Sequence, residues 1–223
     1  MTATSDEHTS SHTGKLKGLY AITDEQLITA DHFSETIESA LQGGVRIVQY
    51  RDKSSNQQKR FQQASLICSL CQQYHAISII NDDIELAKAV NADGVHLGKD
   101  DDSISNAKQA LGQQAIIGVS CYNDISQAIT AEKNNADYVA FGAMFSSPTK
   151  PDAVDADLAI ISDAKRLISI PVCAIGGITD KNIQQLIRHG ADMAAVISSL
   201  FSSRDIKPGD VKHRANILSQ HFS

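Results

Sequence analysis

The chain has 223 residues, 42% of them hydrophobic and 21% charged, with a formal net charge of −6. That length holds one long domain or two small ones, and the composition is that of a soluble globular protein. The acidic balance leaves no basic footprint for nucleic acid or an anionic membrane, and no apolar run is long enough to span a bilayer.

The first 15 residues, "MTATSDEHTSSHTGK", are rich in Ser and Thr and lack the apolar stretch of a signal peptide. They read as a disordered leader over 1–15, ahead of one domain over 16–223, and a cytoplasmic location is the default expectation. Eight apolar, β-branched segments follow as strand candidates: "GLYAIT" (18–23), "RIVQYR" (46–51), "AISIIND" (76–82), "GVHLG" (94–98), "IIGVSC" (116–121), "YVAFGAMF" (138–145), "PVCAIGG" (171–177) and "DMAAVISS" (192–199). Amphipathic segments lie between them, such as "DIELAKAVN" and "DISQAITAEKNN", the latter with Asp124 placed as an N-cap.

A phrase recurs at the joins, where a helix ends at Gly or Asn and an apolar strand begins within a few residues. It appears in "ALQGGVRIVQYR", "AVNADGVHLG", "KNNADYVAFGAMF" and "IRHGADMAAVISS". Near-continuous apolar strands belong to a parallel sheet buried on both faces. Eight β-α units in this length predict an α/β fold, a single (β/α)8 TIM barrel, whose usual size is roughly 250 residues. A doubly wound open sheet shares the local pattern and stands as the alternative.

Cys68 and Cys71 have the C-x-x-C spacing of redox and zinc motifs. Their segment "RFQQASLICSLCQQY" has helical apolar recurrence, however, and no second C-x-x-C follows. Both are expected to be helix-core thiols, with Cys121 and Cys173 buried in strands.

Barrels build their sites at the C-terminal ends of the strands. There the sequence places Gln49, Arg51 and Lys53 after strand 2, Asn81 and Asp82 after strand 3, and Lys99 to Asp102 after strand 4. Ser120 ends strand 5, "SSPTKPDA" with Lys150 follows strand 6, Gly176-Gly177 ends strand 7, and Ile197-Ser198-Ser199 ends strand 8. The order of charge is informative: cations after strands 2 and 6, carboxylates after 3 and 4.

Neighbouring parallel strands lie about 4.8 Å apart, so acids ending strands 3 and 4 can share one ion. Mg²⁺ held by one or two carboxylates, with phosphate and water completing its shell, fits that supply. Arg51, Lys53 and Lys150 would face the same phosphates as charge-assisted donors. The glycine pair and Ser198 fall where barrels hold a phosphate on backbone N–H groups, a second anion site. "SSPTKPDA" is expected to act as a lid that orders over bound phosphate. His96, within strand 4, reads as a satisfied interior histidine rather than a catalyst.

Together "GLYAITD", "GGVRIVQYRDK", "IINDDIELA", "ADGVHLGKDD", "IGVSCYN", "FGAMFSSPTKPDA", "IPVCAIGGIT" and "GADMAAVISSLF" closely resemble the thiamine phosphate synthase family, from about Gly18 to Phe201. The resemblance implies a (β/α)8 barrel and a Mg²⁺-dependent transferase. Its reaction joins 4-amino-5-hydroxymethyl-2-methylpyrimidine diphosphate to 4-methyl-5-(2-hydroxyethyl)thiazole phosphate, giving thiamine phosphate and diphosphate.

Carried over by motif, the resemblance implies that Gln49 contacts the pyrimidine, while Arg51, Lys53, Asn81 and Lys150 hold the diphosphate. Asp82 and Asp101 would be the Mg²⁺ ligands, and Ser120 would lie beside the reacting pyrimidine. Ser147, Thr149, Gly177, Ile197 and Ser198 would bind the thiazole phosphate. Arg51, Lys53, Ser120 and Lys150 form the implied catalytic set. An electron-rich aminopyrimidine that loses diphosphate first, passing through a carbocation, needs leaving-group stabilisation and positioning more than a strong base.

Two stretches depart from the family pattern. Lys99 stands where Gln is common, and Ser146-Ser147 where Pro-Thr is common. A thiazole tautomerase of the same superfamily is the nearest rival, but it would not need Arg51, Lys53, Asp82, Asp101 and Lys150. A non-catalytic phosphate-binding barrel would tolerate loss of the metal ligands. The expected partners are the two small-molecule substrates, with no nucleic acid and no membrane; a homo-oligomer is left open.

Overall fold

Every apolar segment expected as a strand forms one in the computed structural model, which describes residues 14–98, 101–145, 157–202 and 206–222. The strands are β1 (Gly18–Ile22), β2 (Ile47–Tyr50), β3 (Ile77–Asn81), β4 (Gly94–Leu97), β5 (Ile116–Tyr122), β6 (Tyr138–Phe141), β7 (Val172–Ile175) and β8 (Met193–Val196). They pair in parallel in chain order, and β1 pairs with β8, so the sheet closes into a barrel. Closure excludes the open doubly wound sheet. Residues 1–13 of the expected leader lie outside the described residues.

The helices pack outside the barrel: α1 (Phe33–Gln42), α2 (Gln57–Gln73), α3 (Ile84–Ala89), α4 (Ile104–Leu111), α5 (Ile125–Lys133), α6 (Ala159–Leu167), α7 (Ile183–Arg188) and α8 (Pro208–Ser219). Several start on the side-chain caps that their sequences offer. Asn56, Asp83, Ser103 and Asp124 each accept a backbone N–H of the first turn. Asp124 caps α5 as expected.

The recurring phrase has a physical cause at the opposite end of the barrel. Asp93, Asp137 and Asp192 precede β4, β6 and β8, and each carboxylate accepts a backbone N–H from the neighbouring strand. The donors are Ser78, Ile117 and Val172, at 2.7, 2.8 and 2.7 Å. Lys108 and Lys165 neutralise the second and third of these at 2.7 and 2.8 Å. The acid in each "AD" therefore sets strand register, away from the site.

Two strands stop earlier than their apolar pattern. β6 ends at Phe141, not Phe145, because the N–H groups of Met144 and Phe145 turn to Ile175 O and Gly176 O. β8 ends at Val196, where Ile197 O accepts from Leu200 and Phe201 and opens a turn.

Alternate strand residues fill the barrel interior, among them Tyr20, Ile47, Ile79, Ile116, Tyr138, Cys173 and Met193, while their neighbours pack against the helices. Cys71 on α2 is fully buried and Cys68 half-buried; both are free thiols pushed above their ordinary pKa, chiefly by burial. Among the described residues, no group of three or more His, Cys, Asp or Glu is arranged to hold a metal. What supports the core reading of the C-x-x-C is the burial of Cys71 and the partial burial of Cys68 on α2. Cys68→Ala with Cys71→Ala should cost about 1–3 kcal/mol in denaturant unfolding and leave turnover unchanged. A folded but inactive double variant would restore the redox or zinc reading. No described helix is long and apolar enough to cross a membrane.

Candidate active site

The ends of β2, β3 and β4 gather the charged residues expected at the mouth. Gln49 lies inside the barrel, 3% exposed, and donates from Nε2 to the Tyr20 hydroxyl at 2.8 Å. Arg51 leaves β2 with its backbone clamped by Thr23, the buried residue that follows β1. Arg51 N–H donates to Thr23 Oγ1 at 2.8 Å, and the Thr23 hydroxyl donates to Arg51 O at 3.2 Å. The direction in which Arg51 leaves the sheet is thus fixed by the neighbouring strand.

Between Arg51 and Lys53, Asp52 is buried and takes the Lys59 ammonium at 2.7 Å and the Ser54 N–H at 2.7 Å. Burial alone would raise this carboxyl, but the donors outweigh it and bring it down to about 2, below its ordinary 3.8. Its contribution to stability is therefore full above the unfolded value and fades as pH falls toward 2. Asp52→Asn should cost on the order of 2 kcal/mol near pH 7, with a smaller difference from wild type in acid. Urea unfolding at both pH values checks this.

Beyond Asp52, Lys53 and Ser54 line a cleft of about 360 Å³ with Arg60, Asn81, Asp82 and Asp83. Asp82 ends β3 with φ +62°, a left-handed backbone that Asp tolerates better than most residues. Its N–H donates to His96 O on β4 at 2.9 Å, and its carboxylate lies beside that of Asp101. Burial first, and then the Asp101 carboxylate, pushes Asp82 up to about 6, against the pull of Asn81 and Lys53.

Asp101 is held in turn by the Gly98 N–H. Asp102 turns the other way, to accept from Asn106 Nδ2 at 3.3 Å. Of the acids in "KDDD", Asp101 therefore faces Asp82, while Lys99 and Asp100 lie outside the described residues.

Two neighbouring carboxylates, Asp82 half-buried and Asp101 exposed, are an oxygen donor set suited to a cation. Oxygen donors suit hard Mg²⁺, which is commonly bound by one or two carboxylates plus substrate phosphates rather than by an all-protein cage. The pair fits the group.

Ser120 stands where the β5–β6 register shifts, an irregularity of the kind that re-aims side chains beside active sites. Its hydroxyl meets His96 Nε2 at 2.9 Å, and His96 Nδ1 meets the Tyr138 hydroxyl at 3.0 Å. Burial holds His96 down at about 4, so the ring is neutral at physiological pH. It is the satisfied interior histidine expected, yet one of its partners is a candidate site residue.

Across the mouth, Gly176 and Gly177 follow β7 with φ +107° and +61°. A Cβ on Gly176 would stand 2.6 Å from Ala143 Cα, so the loop closes over the β6 end only with glycine there. Asn182 pins this loop, giving Nδ2 to Gly177 O at 3.0 Å and taking Thr179 N–H at 2.8 Å. The Ser199 hydroxyl donates to Ile178 O, tying it to the β8 end. Gly177, Ile197 and Ser198 therefore occupy adjacent strand ends, an arrangement that can take a phosphate on backbone N–H groups. Ser147, Thr149, Lys150 and the expected lid lie outside the described residues.

Sequence reading passed over Thr23, Asp52, Tyr20 and Tyr138. Thr23 was legible, as the polar residue that ends the apolar segment "GLYAIT". The two tyrosines read as apolar core, and only closure of the barrel brings them beside Gln49 and His96.

The family model for thiamine monophosphate synthase matches residues 19–200. A thiamine-phosphate synthase of Nitrosococcus oceani is 47% identical over 207 residues, covering 93% of each chain. One from Marinobacter nauticus is 47% identical over 206 residues, covering 92% of this chain and 91% of its own. Among solved structures, a thiamine phosphate pyrophosphorylase from Pyrococcus furiosus superposes with TM-score 0.82 at 32% identity, covering 93% of this chain and 96% of its own.

Proposed function

The chain belongs to the thiamine monophosphate synthase family, and from that membership we propose how its barrel mouth carries out the synthase reaction. The activity is that of a thiamine-phosphate synthase, a transferase. The substrates are 4-amino-5-hydroxymethyl-2-methylpyrimidine diphosphate and 4-methyl-5-(2-hydroxyethyl)thiazole phosphate. The pyrimidine ring rests between Gln49 and Ser120. Arg51, Lys53 and Asn81 hold its diphosphate, joined by Lys150 on the strength of its motif alone.

Mg²⁺ held by Asp82 and Asp101 would neutralise the charge that gathers on the departing diphosphate. Arg51 and Lys53 donate to the same oxygens and lower the cost of breaking the C–O bond. The aminopyrimidine left behind is a resonance-stabilised carbocation, which the thiazole nitrogen captures. Gly177, Ile197 and Ser198 hold the thiazole phosphate, so the two rings meet in a fixed geometry. No base is required, which agrees with a neutral, buried His96. A cytoplasmic location goes with this reading.

The observation that carries it is Asp82, which lines the cleft with Lys53 and Asn81 and has the Asp101 carboxylate beside it. A thiazole tautomerase has no use for that pair. Diphosphate release should require both substrates and Mg²⁺, with one thiamine phosphate formed per diphosphate. Thiazole isomerisation without diphosphate release would favour the tautomerase, and phosphate binding without turnover the non-catalytic barrel.

A further inference from the structure

A continuous chain of hydrogen bonds crosses the barrel interior and joins two candidate substrate contacts on well-separated strands. Gln49 Nε2 reaches the Tyr20 hydroxyl at 2.8 Å, and that hydroxyl meets the Tyr138 hydroxyl at 2.9 Å. Tyr138 meets His96 Nδ1 at 3.0 Å, and His96 Nε2 meets the Ser120 hydroxyl at 2.9 Å. Tyr20, Gln49, His96 and Tyr138 are all buried, and the Tyr20 and Tyr138 rings also stack edge-on at 6.1 Å. The sequence makes room for the hub. A Cβ on Gly118 would stand 2.0 Å from Tyr138 Cζ, so the phenol enters the interior only because residue 118 is glycine.

The chain has a direction. When Gln49 donates to Tyr20, the Tyr20 proton is free to go to Tyr138, and the Tyr138 proton to His96 Nδ1. His96, buried among hydroxyls and therefore neutral, then carries its single proton on Nε2 and gives it to Ser120 Oγ. The Ser120 proton points onward. The Ser120 end is thus a donor through its O–H, while Gln49 is held with Nε2 turned to Tyr20 and Oε1 on its other side as the acceptor. Reversing either end requires every bond between them to reverse.

We propose that Tyr138 is a positioning residue whose hydroxyl, acting through Tyr20 and His96, fixes Gln49 as an acceptor and Ser120 as a donor toward the bound ring. That pattern matches an aminopyrimidine, which has an amine N–H to give and a ring nitrogen to accept. It opposes the corresponding oxo-pyrimidine, which presents a carbonyl and a ring N–H instead. The inference rests on the synthase reading of the site and adds the basis of its choice between these two rings.

The test is the ratio of dissociation constants for the aminopyrimidine diphosphate and its 4-oxo analogue, measured by calorimetry with Mg²⁺ in wild type, Tyr138→Phe and Tyr20→Phe. In either variant a freed hydroxyl or amide can turn, so preference for the amine should fall at least tenfold. Loss of packing alone would weaken both ligands alike and leave the ratio unchanged. An unchanged ratio in a folded Tyr138→Phe protein, judged by its thermal melt, overturns the proposal. If Tyr138→Phe does not fold, Tyr20→Phe breaks the adjacent link and decides in the same way. Failure of wild type to bind the aminopyrimidine diphosphate would overturn the synthase reading itself, a separable result.

Discussion

Asp101→Asn should lower turnover on the order of 10²-fold or more, the scale of losing a preorganised electrostatic contact, while leaving the metal-free barrel no less stable. Both halves follow from one geometry. The Asp101 carboxylate lies against Asp82 and raises it toward neutral pH. A carboxyl raised above its unfolded value destabilises the fold once ionised, so Asp82 beside Asp101 costs stability at and above pH 6–7, and the cost relaxes as pH falls. Removing one charge relieves the repulsion, whereas a structural acid would show the opposite.

In wild type, Mg²⁺ should raise the melting temperature by binding the native pair, and that shift should shrink sharply in Asp101→Asn. Asp102→Asn is the control. Asp102 faces Asn106 on a solvated turn, so turnover should change little. Full turnover in Asp101→Asn, or loss of it in Asp102→Asn, would mean that the wrong acid has been assigned.

Arg51→Ala should cost at least 10²-fold in kcat/KM, because it removes a charge-assisted donor where leaving-group charge develops. Arg51→Lys should recover only part of this, since an ammonium does not reproduce the planar fork. Thr23→Val separates charge from placement. It keeps the guanidinium but loses the hydroxyl that holds both the N–H and the C=O of Arg51. A loss of about tenfold is expected from misplacement alone. Steady-state kinetics on the three variants check the order Ala, then Lys, then Val in severity. Equal loss in Thr23→Val and Arg51→Ala would show that the backbone clamp, not the charge, is what matters.

Much of this was legible before the structure. The eight apolar segments and their spacing carried the barrel, and the strand ends offered Arg51, Lys53, Asp82 and the run Lys99 to Asp102, from which only the family resemblance singled out Asp101. What composition and period could not carry is contact between distant strands. The early end of β6 was hidden because "GAMF" is as apolar as the strand before it, while its N–H groups bond to β7 loop carbonyls. The acids of the repeated "AD" could not be told from site acids by type. They differ only in lying at the other end of the barrel, where they accept strand N–H groups. His96 was legible as interior, but its tie to Ser120 required the register of β4 on β5.

The central claim is that Asp82 and Asp101 share one metal that touches the diphosphate held by Arg51 and Lys53. A crystal structure with thiamine phosphate, diphosphate and Mn²⁺ in place of Mg²⁺ tests it, because the anomalous signal locates the ion. The account predicts a single peak within about 2.1–2.3 Å of one oxygen from each carboxylate and of a diphosphate oxygen. A peak among Asp83, Glu85 and Asp102 instead, or diphosphate bound away from Arg51 and Lys53, would contradict it.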